Sequence, residues 1–388
     1  MIYLDHMSQN KFSYGRQSIS QKDITAVTKV LQSNFLTQGP SIKEFEEKFA
    51  SYCETRYAVA VCNGTAALHL AVLALELDSS SEAITSPMSF AASANCVLYA
   101  RAKINFADID PYTGLIDPAE LAKKVTPKTK LLIPVHYAGQ ACNMAAIAKL
   151  AKKYKLYIIE DAAHAIGSSY KNRKIGSCQY SDMTTFSFHP VKTITSGEGG
   201  MITTNNKKLY EKLLMLRTHG ITKQNFVSKP DGNWYYEMQA LGYNYRLTDI
   251  QATLGLSQLS QIEKFKKKRS KLVNFYDKAF ANDPCFKVLG KAANSDTCYH
   301  LYPLLFQFDK LKITKQQLFK ALQKKGLFLQ VHYIPIHLQP YYQNLGFKKG
   351  DFPNAEQFYQ QELSLPLYVD LTIPQAKQVV KIIKELAQ

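Results

Sequence analysis

The chain contains the stretch Ser187-Phe188-His189-Pro190-Val191-Lys192-Thr193-Ile194-Thr195-Ser196-Gly197-Glu198-Gly199-Gly200, in which one lysine stands on a small, glycine-rich turn. A β-rich run, residues 183–188, enters this turn, and a second apolar run, residues 201–204, leaves it. Lys192 has no other charged residue within five positions, so the pattern predicts a lysine on a dry, tight turn. Such a lysine loses its proton easily and can act as an amine nucleophile toward a carbonyl. From the spacing alone, an ordinary loop lysine is the alternative.

Strands and helices alternate on the N-terminal side of this turn. Apolar runs that predict strands cover residues 57–62, 82–86, 103–107, 130–135 and 155–159, and helical patterns separate them. Repeated βα units predict an α/β fold with a mostly parallel sheet that is covered by helices. Because ligands of such sheets bind at the carboxyl ends of the strands, the residues that follow these runs are the candidate site.

Three weak signals follow apolar strands and should therefore meet at that edge. Asn63-Gly64-Thr65 lies between a strand and an apolar helix, which directs free N–H groups and a helix dipole at an anion. A simple tight turn is the alternative there, and a helix cap and a packing histidine are the alternatives for Asp161 and His164. Together with Lys192, these residues form the set that pyridoxal phosphate requires: an acid for the ring nitrogen, a residue against the ring and an amine for the aldehyde.

The composition is that of a globular protein with an excess of positive charge. The 388 residues are 46% hydrophobic and 20% charged, and the formal net charge is +17. This charge suits a polyanionic ligand, which could be nucleic acid, a membrane surface or a nucleotide-linked substrate. The lysines are spread over predicted helix faces without an RNA-binding signature, which weakens the nucleic-acid interpretation and indicates solvated faces for most of them. No apolar run reaches membrane-spanning length, and residues 1–6 lack a secretory pattern. Seven scattered cysteines favour free thiols in a cytoplasmic protein over a disulfide frame or a metal site.

The length of the chain predicts two domains. Residues 1–259 are expected to form a large α/β domain that includes the N-terminal segment and binds the cofactor. Residues 260–388 are expected to form a smaller C-terminal α+β domain, with a lysine-rich helix at residues 261–280 as the bridge.

Five motifs together resemble those of the DegT/DnrJ/EryC1/StrS family of sugar aminotransferases, within the fold-type I pyridoxal-phosphate enzymes. They are Leu36-Thr37-Gln38-Gly39-Pro40, Asn63-Gly64-Thr65-Ala66-Ala67-Leu68, Glu160-Asp161-Ala162-Ala163-His164-Ala165, the stretch from Ser187 to Gly200, and Gly242-Tyr243-Asn244-Tyr245-Arg246-Leu247-Thr248-Asp249-Ile250-Gln251. The resemblance covers nearly the whole chain, and the motifs are specific jointly rather than singly. It implies a fold-type I architecture, a pyridoxal 5′-phosphate cofactor and a homodimer with shared active sites.

The resemblance also implies a role for each matching residue. Lys192 would bind the cofactor's aldehyde and shuttle the proton during catalysis. Asp161 would pair with the pyridine nitrogen, while His164 and Phe90 would lie against the ring. The residues implied to bind the phosphate are Gly64, Thr65, Ser187 and, from the neighbouring subunit, Asn244.

Within the family, the C-terminal half is similar to the branch that aminates C4 of a UDP-linked 4-keto-6-deoxy sugar in the pseudaminic acid pathway, which serves polysaccharide or flagellin glycosylation. His300-Leu301-Tyr302-Pro303 and Gln330-Val331-His332-Tyr333-Ile334-Pro335-Ile336 carry this similarity. It implies transfer of the amino group of L-glutamate to UDP-2-acetamido-2,6-dideoxy-β-L-arabino-hex-4-ulose, which gives UDP-4-amino-4,6-dideoxy-N-acetyl-β-L-altrosamine. The residues implied to contact the nucleotide sugar are Tyr14, Asn34, Phe35, Leu36, Thr37, His332, Tyr333, Ile334 and Pro335.

Three alternatives to this reaction stay open. Asn63-Gly64-Thr65 matches the general family form rather than the Asn-Ser-Ala of the pseudaminic branch, so another UDP-, GDP- or dTDP-keto sugar, of bacillosamine or perosamine type, or amination at C3 is possible. A sugar dehydratase of the same fold would carry a histidine in place of Lys192, so the lysine favours transamination. A regulatory nucleic-acid-binding protein fits the charge, but it does not explain why Asp161, Lys192 and the phosphate turn occur together.

Overall fold

Helices and strands alternate along most of the computed structural model, which describes residues 12–387. The prediction that residues 1–6 carry no secretory pattern lies outside these described residues. The helices are α1 (Gln21–Leu31), α2 (Pro40–Cys53), α3 (Gly64–Ala74), α4 (Ala92–Tyr99), α5 (Pro118–Lys124), α6 (Met144–Tyr154), α7 (Lys207–Arg217), α8 (Asp249–Leu259), α9 (Ile262–Phe280), α10 (Lys315–Lys324), α11 (Pro340–Gln343), α12 (Pro353–Gln361) and α13 (Ile373–Ala387). The strands are β1 (Phe12–Ser13), β2 (Tyr57–Val61), β3 (Glu82–Thr85), β4 (Lys103–Phe106), β5 (Thr129–Ile133), β6 (Tyr157–Asp161), β7 (Ser169–Tyr170), β8 (Arg173–Lys174), β9 (Met183–Ser187), β10 (Gly200–Thr204), β11 (Ile221–Thr222), β12 (Glu237–Met238), β13 (Phe286–Val288), β14 (Ser295–Asp296), β15 (Tyr302–Phe306), β16 (Leu327–Phe328) and β17 (Glu362–Leu365).

Seven strands form one central sheet in the order β2-β10-β9-β6-β5-β3-β4. Neighbouring strands are parallel except at β10, which runs antiparallel to both β2 and β9. The predicted α/β fold with a mostly parallel sheet is therefore confirmed. Because β2 and β9 both run opposite to β10, the carboxyl ends of β2, β9, β6, β5 and β3 lie along one edge of the sheet.

Strand β6 begins two residues later than the sequence pattern predicts. Lys155 adopts a left-handed conformation (φ 54°) that ends α6, so the chain enters the strand only at Tyr157. The strand also ends two residues later than predicted, so Asp161 is its last residue instead of following it. Its backbone N–H donates to the carbonyl of Pro134 (2.9 Å), and its carbonyl accepts from the N–H of His136 (3.0 Å), so the neighbouring chain fixes its position at the edge.

Four phenylalanines anchor the strand that leads to Lys192. Phe45 and Phe49 lie one turn apart on α2, with ring centroids 5.9 Å apart. Phe186 lies 5.0 Å from Phe49, and Phe188 lies 5.3 Å from Phe45 and 5.6 Å from Phe49. All four side chains are at most 1% exposed. The packing of α2 against β9 therefore fixes the point at which the lysine turn begins.

A second cluster of buried apolar side chains lies in the C-terminal part of the chain. It gathers residues of α9, α10, α13 and the antiparallel strands β13, β15 and β17. Helix α9 joins both clusters, because Phe265 packs in the core of the central sheet and Tyr276 in the second cluster. Phe12 also packs in the second cluster, since β1 pairs with β16. The division of the chain at residues 259 and 260 stays a prediction.

No helix within residues 12–387 is long and apolar enough to cross a membrane. The same residues contain no group of three or more histidine, cysteine, aspartate or glutamate side chains that could hold a metal ion. All seven cysteines are free thiols.

We predict that Phe49→Ala lowers the free energy of unfolding by about 3–5 kcal/mol, because it removes a buried ring and leaves a cavity between α2 and β9. Urea denaturation at a fixed protein concentration measures the change. The matched control is Leu345→Ala, since Leu345 is 50% exposed and its truncation should change stability by no more than about 0.5 kcal/mol. Equal effects of the two substitutions would contradict the assigned packing.

Candidate active site

A cleft of about 1000 Å³ opens at the carboxyl edge of the sheet. This volume is at the upper end of what small-molecule sites have, so it can hold a cofactor together with a second ligand. Its walls combine residues that follow β2, β3, β6 and β9 with a segment of the C-terminal part of the chain. The sequence-predicted site residues that line the cleft are Tyr14, Gly64, Thr65, Phe90, Asp161, His164, Ser187, Lys192, His332, Tyr333 and Ile334.

The remaining predicted site residues do not line this cleft. Residues 34–37 form the connection between α1 and α2, which the carboxylate of Asp249 holds by accepting from the N–H groups of Gly39 (2.7 Å) and Ser41 (3.0 Å). The side chains in this connection are exposed, as is that of Asn244, which pairs with Thr218 in an isolated bridge. The residues concerned are Asn34, Phe35, Leu36, Thr37, Pro335 and Asn244, and their roles stay predictions.

Lys192 sits on a turn that its own backbone closes. The N–H of Lys192 donates to the carbonyl of His189 (2.9 Å), and the N–H of Ser196 donates to the carbonyl of Phe188 (3.0 Å). Gly197 takes a positive φ of 82°, which its lack of a side chain permits. Burial lowers the pKa of Lys192 to about 8, although the nearby charge of Asp161 opposes this change. A lysine with this pKa exposes a reactive neutral amine near physiological pH.

Asp161 is buried and held by two donors. Its Oδ2 accepts from the hydroxyl of Ser93 (2.6 Å), and its Oδ1 accepts from the N–H of Ala163 (3.1 Å). The hydroxyl of Ser89 lies 2.6 Å from that of Ser93, so a short chain of hydroxyls connects Asp161 to the segment that carries Phe90. Sequence reasoning did not find Ser93. Its place in α4, the helix that follows β3, could have indicated this role, because β3 also ends at the carboxyl edge of the sheet where ligands bind.

His164 is buried between Tyr333 and His300. Its Nε2 lies 3.0 Å from the hydroxyl of Tyr333, and its ring lies 4.5 Å from that of His300. Burial and then the charge of Lys192 lower the pKa of His164 well below its usual value, so the ring is neutral. Its Nδ1 is buried and has no hydrogen-bond partner among the described residues. The motif that contains His300 did not predict that its side chain lies in the site.

The turn after β2 forms an anion cup at the start of α3. The side chain of Asn63 accepts from the N–H of Ala66 (2.8 Å), which leaves the N–H groups of Gly64 and Thr65 without an intrahelical acceptor. A side chain at position 64 would place its Cβ 2.8 Å from the Cβ of Ser187, so glycine is needed for this close approach. Two free backbone donors and the Ser187 hydroxyl therefore surround a space that suits a phosphate at a helix N-terminus.

Comparison with protein families matches residues 17–384 to the DegT/DnrJ/EryC1/StrS aminotransferase family. The chain is 42% identical to the uncharacterized protein MJ1066 of Methanocaldococcus jannaschii, over 96% of each chain. It is 39% identical to UDP-4-amino-4,6-dideoxy-N-acetyl-beta-L-altrosamine transaminase of Campylobacter jejuni, over 95% of each chain. The chain therefore belongs to the DegT/DnrJ/EryC1/StrS aminotransferase family.

Solved structures agree with this assignment. PseC of Helicobacter pylori, an aminotransferase involved in the biosynthesis of pseudoaminic acid, superposes with a TM-score of 0.91 at 34% identity, over 97% of this chain and 99% of that one. The PLP form of Spr1654 from Streptococcus pneumoniae superposes with a TM-score of 0.89 at 30% identity, over 96% of this chain and 98% of that one. The fold is that of the fold-type I pyridoxal-phosphate aminotransferases, as the resemblance implied.

The protein is a pyridoxal-phosphate-dependent aminotransferase, and the cleft fits that cofactor. The cup at Gly64, Thr65 and Ser187 matches the phosphate, because it offers donors and no side chain that would fill it. The amine of Lys192 and the carboxylate of Asp161 match the aldehyde and the ring nitrogen.

We expect the Lys192 amine of the cofactor-free protein to become reactive with a midpoint near pH 8, because burial lowers its pKa to about 8. Competitive acetylation between about pH 6 and about pH 11, followed by mass spectrometry of the Lys192 peptide, measures this midpoint. Exposed lysines in the same digest are the internal reference, with a midpoint near their usual pKa of about 10.4. Asp161→Asn should move the Lys192 midpoint lower still, since it removes the charge that favours the ammonium. A Lys192 midpoint equal to that of the exposed lysines would contradict its burial.

Proposed function

We propose that this aminotransferase moves the amino group of L-glutamate to C4 of UDP-2-acetamido-2,6-dideoxy-β-L-arabino-hex-4-ulose and produces UDP-4-amino-4,6-dideoxy-N-acetyl-β-L-altrosamine. The observation that carries the reaction type is that the amine of Lys192, the carboxylate of Asp161 and the anion cup all line one cleft. The similarity to the named C. jejuni transaminase, 39% identical over 95% of each chain, supports the choice of sugar.

Two side chains of the cleft perform the proton chemistry. When bound, pyridoxal phosphate supplies an aldehyde for the covalent link and a ring that accepts the electron pair of the bond broken at the substrate carbon. Asp161 keeps a proton on the ring nitrogen, which makes the ring a better acceptor. The Lys192 amine removes the proton from Cα of the amino acid, and in the second half of the reaction it delivers a proton to C4 of the sugar.

Charge and neighbouring residues favour a nucleotide sugar as the acceptor substrate. The net charge of +17 attracts the diphosphate of a UDP-sugar, an effect that salt weakens. The cleft that holds the cofactor extends to Tyr14 and to residues 330–334, which supplies a wall for the sugar. Gly64 and Thr65, which match the general family form, favour a bacillosamine- or perosamine-type keto sugar as the second candidate.

Lys192→Ala is expected to lower kcat by several orders of magnitude, because one amine serves both halves of the reaction. The assay supplies L-glutamate with UDP-, GDP- or dTDP-linked 4-keto-6-deoxy sugars, and NMR locates the new amine on the ring. Lys43→Ala is the control, since that side chain is 81% exposed on α2. Near wild-type turnover by Lys192→Ala would refute the assignment of Lys192. A C3 amine, or a preference for a GDP- or dTDP-sugar, would refute the proposed substrate alone.

We also propose that two chains form a homodimer in which each supplies Asn244 to the phosphate site of the other. Asn244 is exposed and lies outside the cleft of its own chain, so it can only act in that role on another chain. Several large apolar side chains are exposed, which is typical of a surface that a partner covers. They are Phe35 (54%), Leu36 (45%), Trp234 (75%) and Leu241 (78%).

Hybrid dimers test the shared site. Asn244→Ala should weaken cofactor binding about 10-fold, because it removes one hydrogen bond to a charged group, and Lys192→Ala should be inactive. In a randomly reassorted mixture of the two variants, about a quarter of the sites combine an intact Lys192 with the partner's intact Asn244. Activity at limiting cofactor should therefore rise above that of either parent. No rise on mixing, with co-purification of two differently tagged chains showing that hybrids form, would contradict the shared site.

The cytoplasm is the compartment we propose for the protein. All seven cysteines are free thiols, and five of them are buried. Free thiols persist where glutathione and thioredoxin keep them reduced, which supports this location.

A further inference from the structure

His332 is held at three of its four polar atoms. Its N–H donates to Oε2 of Glu362 (2.8 Å), and its carbonyl accepts from the hydroxyl of Tyr137 (2.5 Å). Its Nδ1 lies 2.9 Å from the hydroxyl of Ser364. The fourth atom, Nε2, has no hydrogen-bond partner among the described residues and is not one of the polar atoms sealed from solvent, while His332 lines the cleft. The structure therefore leaves Nε2 as the polar atom that His332 presents to a ligand.

The direction of the hydrogen bonds around Ser364 follows from the chemistry of its neighbours. The Ser364 hydroxyl lies 2.5 Å from Oε1 of Glu362, and an ionised carboxylate can only accept a hydrogen bond. Ser364 must therefore give its single proton to Glu362. The contact between Ser364 and His332 can then form only if Nδ1 carries a proton and donates it. A neutral imidazole has one ring proton, so Nε2 is left with a lone pair.

The charges of the neighbouring groups support this arrangement. Burial, followed by the charge of Lys192, lowers the pKa of His332 to about 3, so the ring is neutral at physiological pH. Burial raises the pKa of Glu362 to about 7, while its two donors and the charge of Lys315 favour the carboxylate. The chain Glu362–Ser364–His332 therefore has its assigned proton positions above neutral pH.

Aromatic side chains keep the imidazole in one place. The ring of Tyr14 lies 5.2 Å from that of His332, and the ring of Tyr333 packs edge-on against it at 4.9 Å and 89°. Ser364 and Glu362 are completely buried on β17, so they cannot reach a ligand themselves. Their effect on a bound molecule can only pass through His332.

We propose that Glu362 and Ser364 are positioning residues that hold His332 in the tautomer with its proton on Nδ1, so that Nε2 accepts a hydrogen bond from a hydroxyl or amide N–H of the bound sugar. The proposal rests on the proposed function, because it assumes that the acceptor substrate is a sugar. The amino group of the donor is taken up at the cofactor's aldehyde, so only the carboxylate oxygens of the amino acid are left to face Nε2. A lone pair repels these oxygens, so this atom does not bind the amino-acid donor. His332 would thus distinguish the two substrates that use the same cleft in turn.

Nitrogen NMR of the histidine side chains tests the tautomer directly. The chain has nine histidines, so the His332 signal must be assigned. It is the signal that is present in the wild-type protein labelled with ¹⁵N-histidine and absent from His332→Gln labelled in the same way. At about pH 8, above the pKa of about 7 for Glu362, we expect the proton on Nδ1 and an unprotonated Nε2. A proton on Nε2 would overturn the proposal. The tautomer is read from the wild-type chain and His332→Gln serves only to assign the signal, so the test does not depend on whether a variant at position 364 folds.

Separate measurement of the two half-reactions tests the consequence. Ser364→Ala should leave the glutamate half-reaction, followed by the visible absorbance of the cofactor, unchanged within about twofold, because Nε2 does not contact the amino acid. The same variant should lower kcat/KM for the keto sugar about 10-fold, since the tautomer is no longer fixed. The control is Thr203→Val, which also removes a completely buried hydroxyl. That hydroxyl belongs to the central sheet and donates to the carbonyl of Gly176 (2.8 Å).

Sugar analogues identify the group that Nε2 recognises. With an analogue that lacks the recognised donor, either a hydroxyl or the amide N–H, the kcat/KM of the wild-type protein should fall about 10-fold. The kcat/KM of Ser364→Ala, which is already lowered, should fall little further with the same analogue. Equal losses in both proteins for every analogue, or an unchanged sugar half-reaction in Ser364→Ala, would overturn this inference alone. Failure of the wild-type protein to react with glutamate or with any keto sugar would instead overturn the proposed function.

Discussion

The site depends on the partial burial of Lys192 in the same cleft as the buried carboxylate of Asp161. Burial alone lowers the lysine pKa, and Asp161 limits the effect, so that the pKa settles at about 8. Neither group could be held in this way on a flexible loop. Asp161 is fixed as the last residue of a central strand, and the lysine turn begins where the phenylalanines of α2 and β9 interlock. The reactive pair is therefore a product of the sheet and its packing.

Neutral histidines surround this pair. His164, His300 and His332 all have lowered pKa values, with burial as the largest cause in each. A second cation next to Lys192 would cost free energy in a poorly hydrated site, so these rings remain uncharged. They can then give and accept single hydrogen bonds in fixed directions. This property matters in a cleft that must bind an amino acid and a sugar in alternation.

Sequence reasoning located the residues at strand ends and missed those that act through others. Lys192, Asp161 and the Gly64 cup each follow an apolar strand, and a mostly parallel sheet brings such positions to one edge. Ser93 and Ser364 are hydroxyls with no distinctive spacing, and their partners Asp161 and His332 lie 68 and 32 positions away in the chain. Residues 34–37 and Asn244 line no part of the cleft, so their roles stay predictions that rest on the sequence motifs alone.

The sequence by itself determined the alternation of strands and helices, the edge at which the site lies and the identity of the lysine, because these follow from local periodicity and from the chemistry of single residues. Only the tertiary structure decided which of these groups are buried, which of their pKa values are shifted and which hydroxyls contact Asp161 and His332. The physical reason is that protonation and hydrogen-bond direction depend on burial and on atoms brought together from distant parts of the chain. No local pattern of residues encodes that environment.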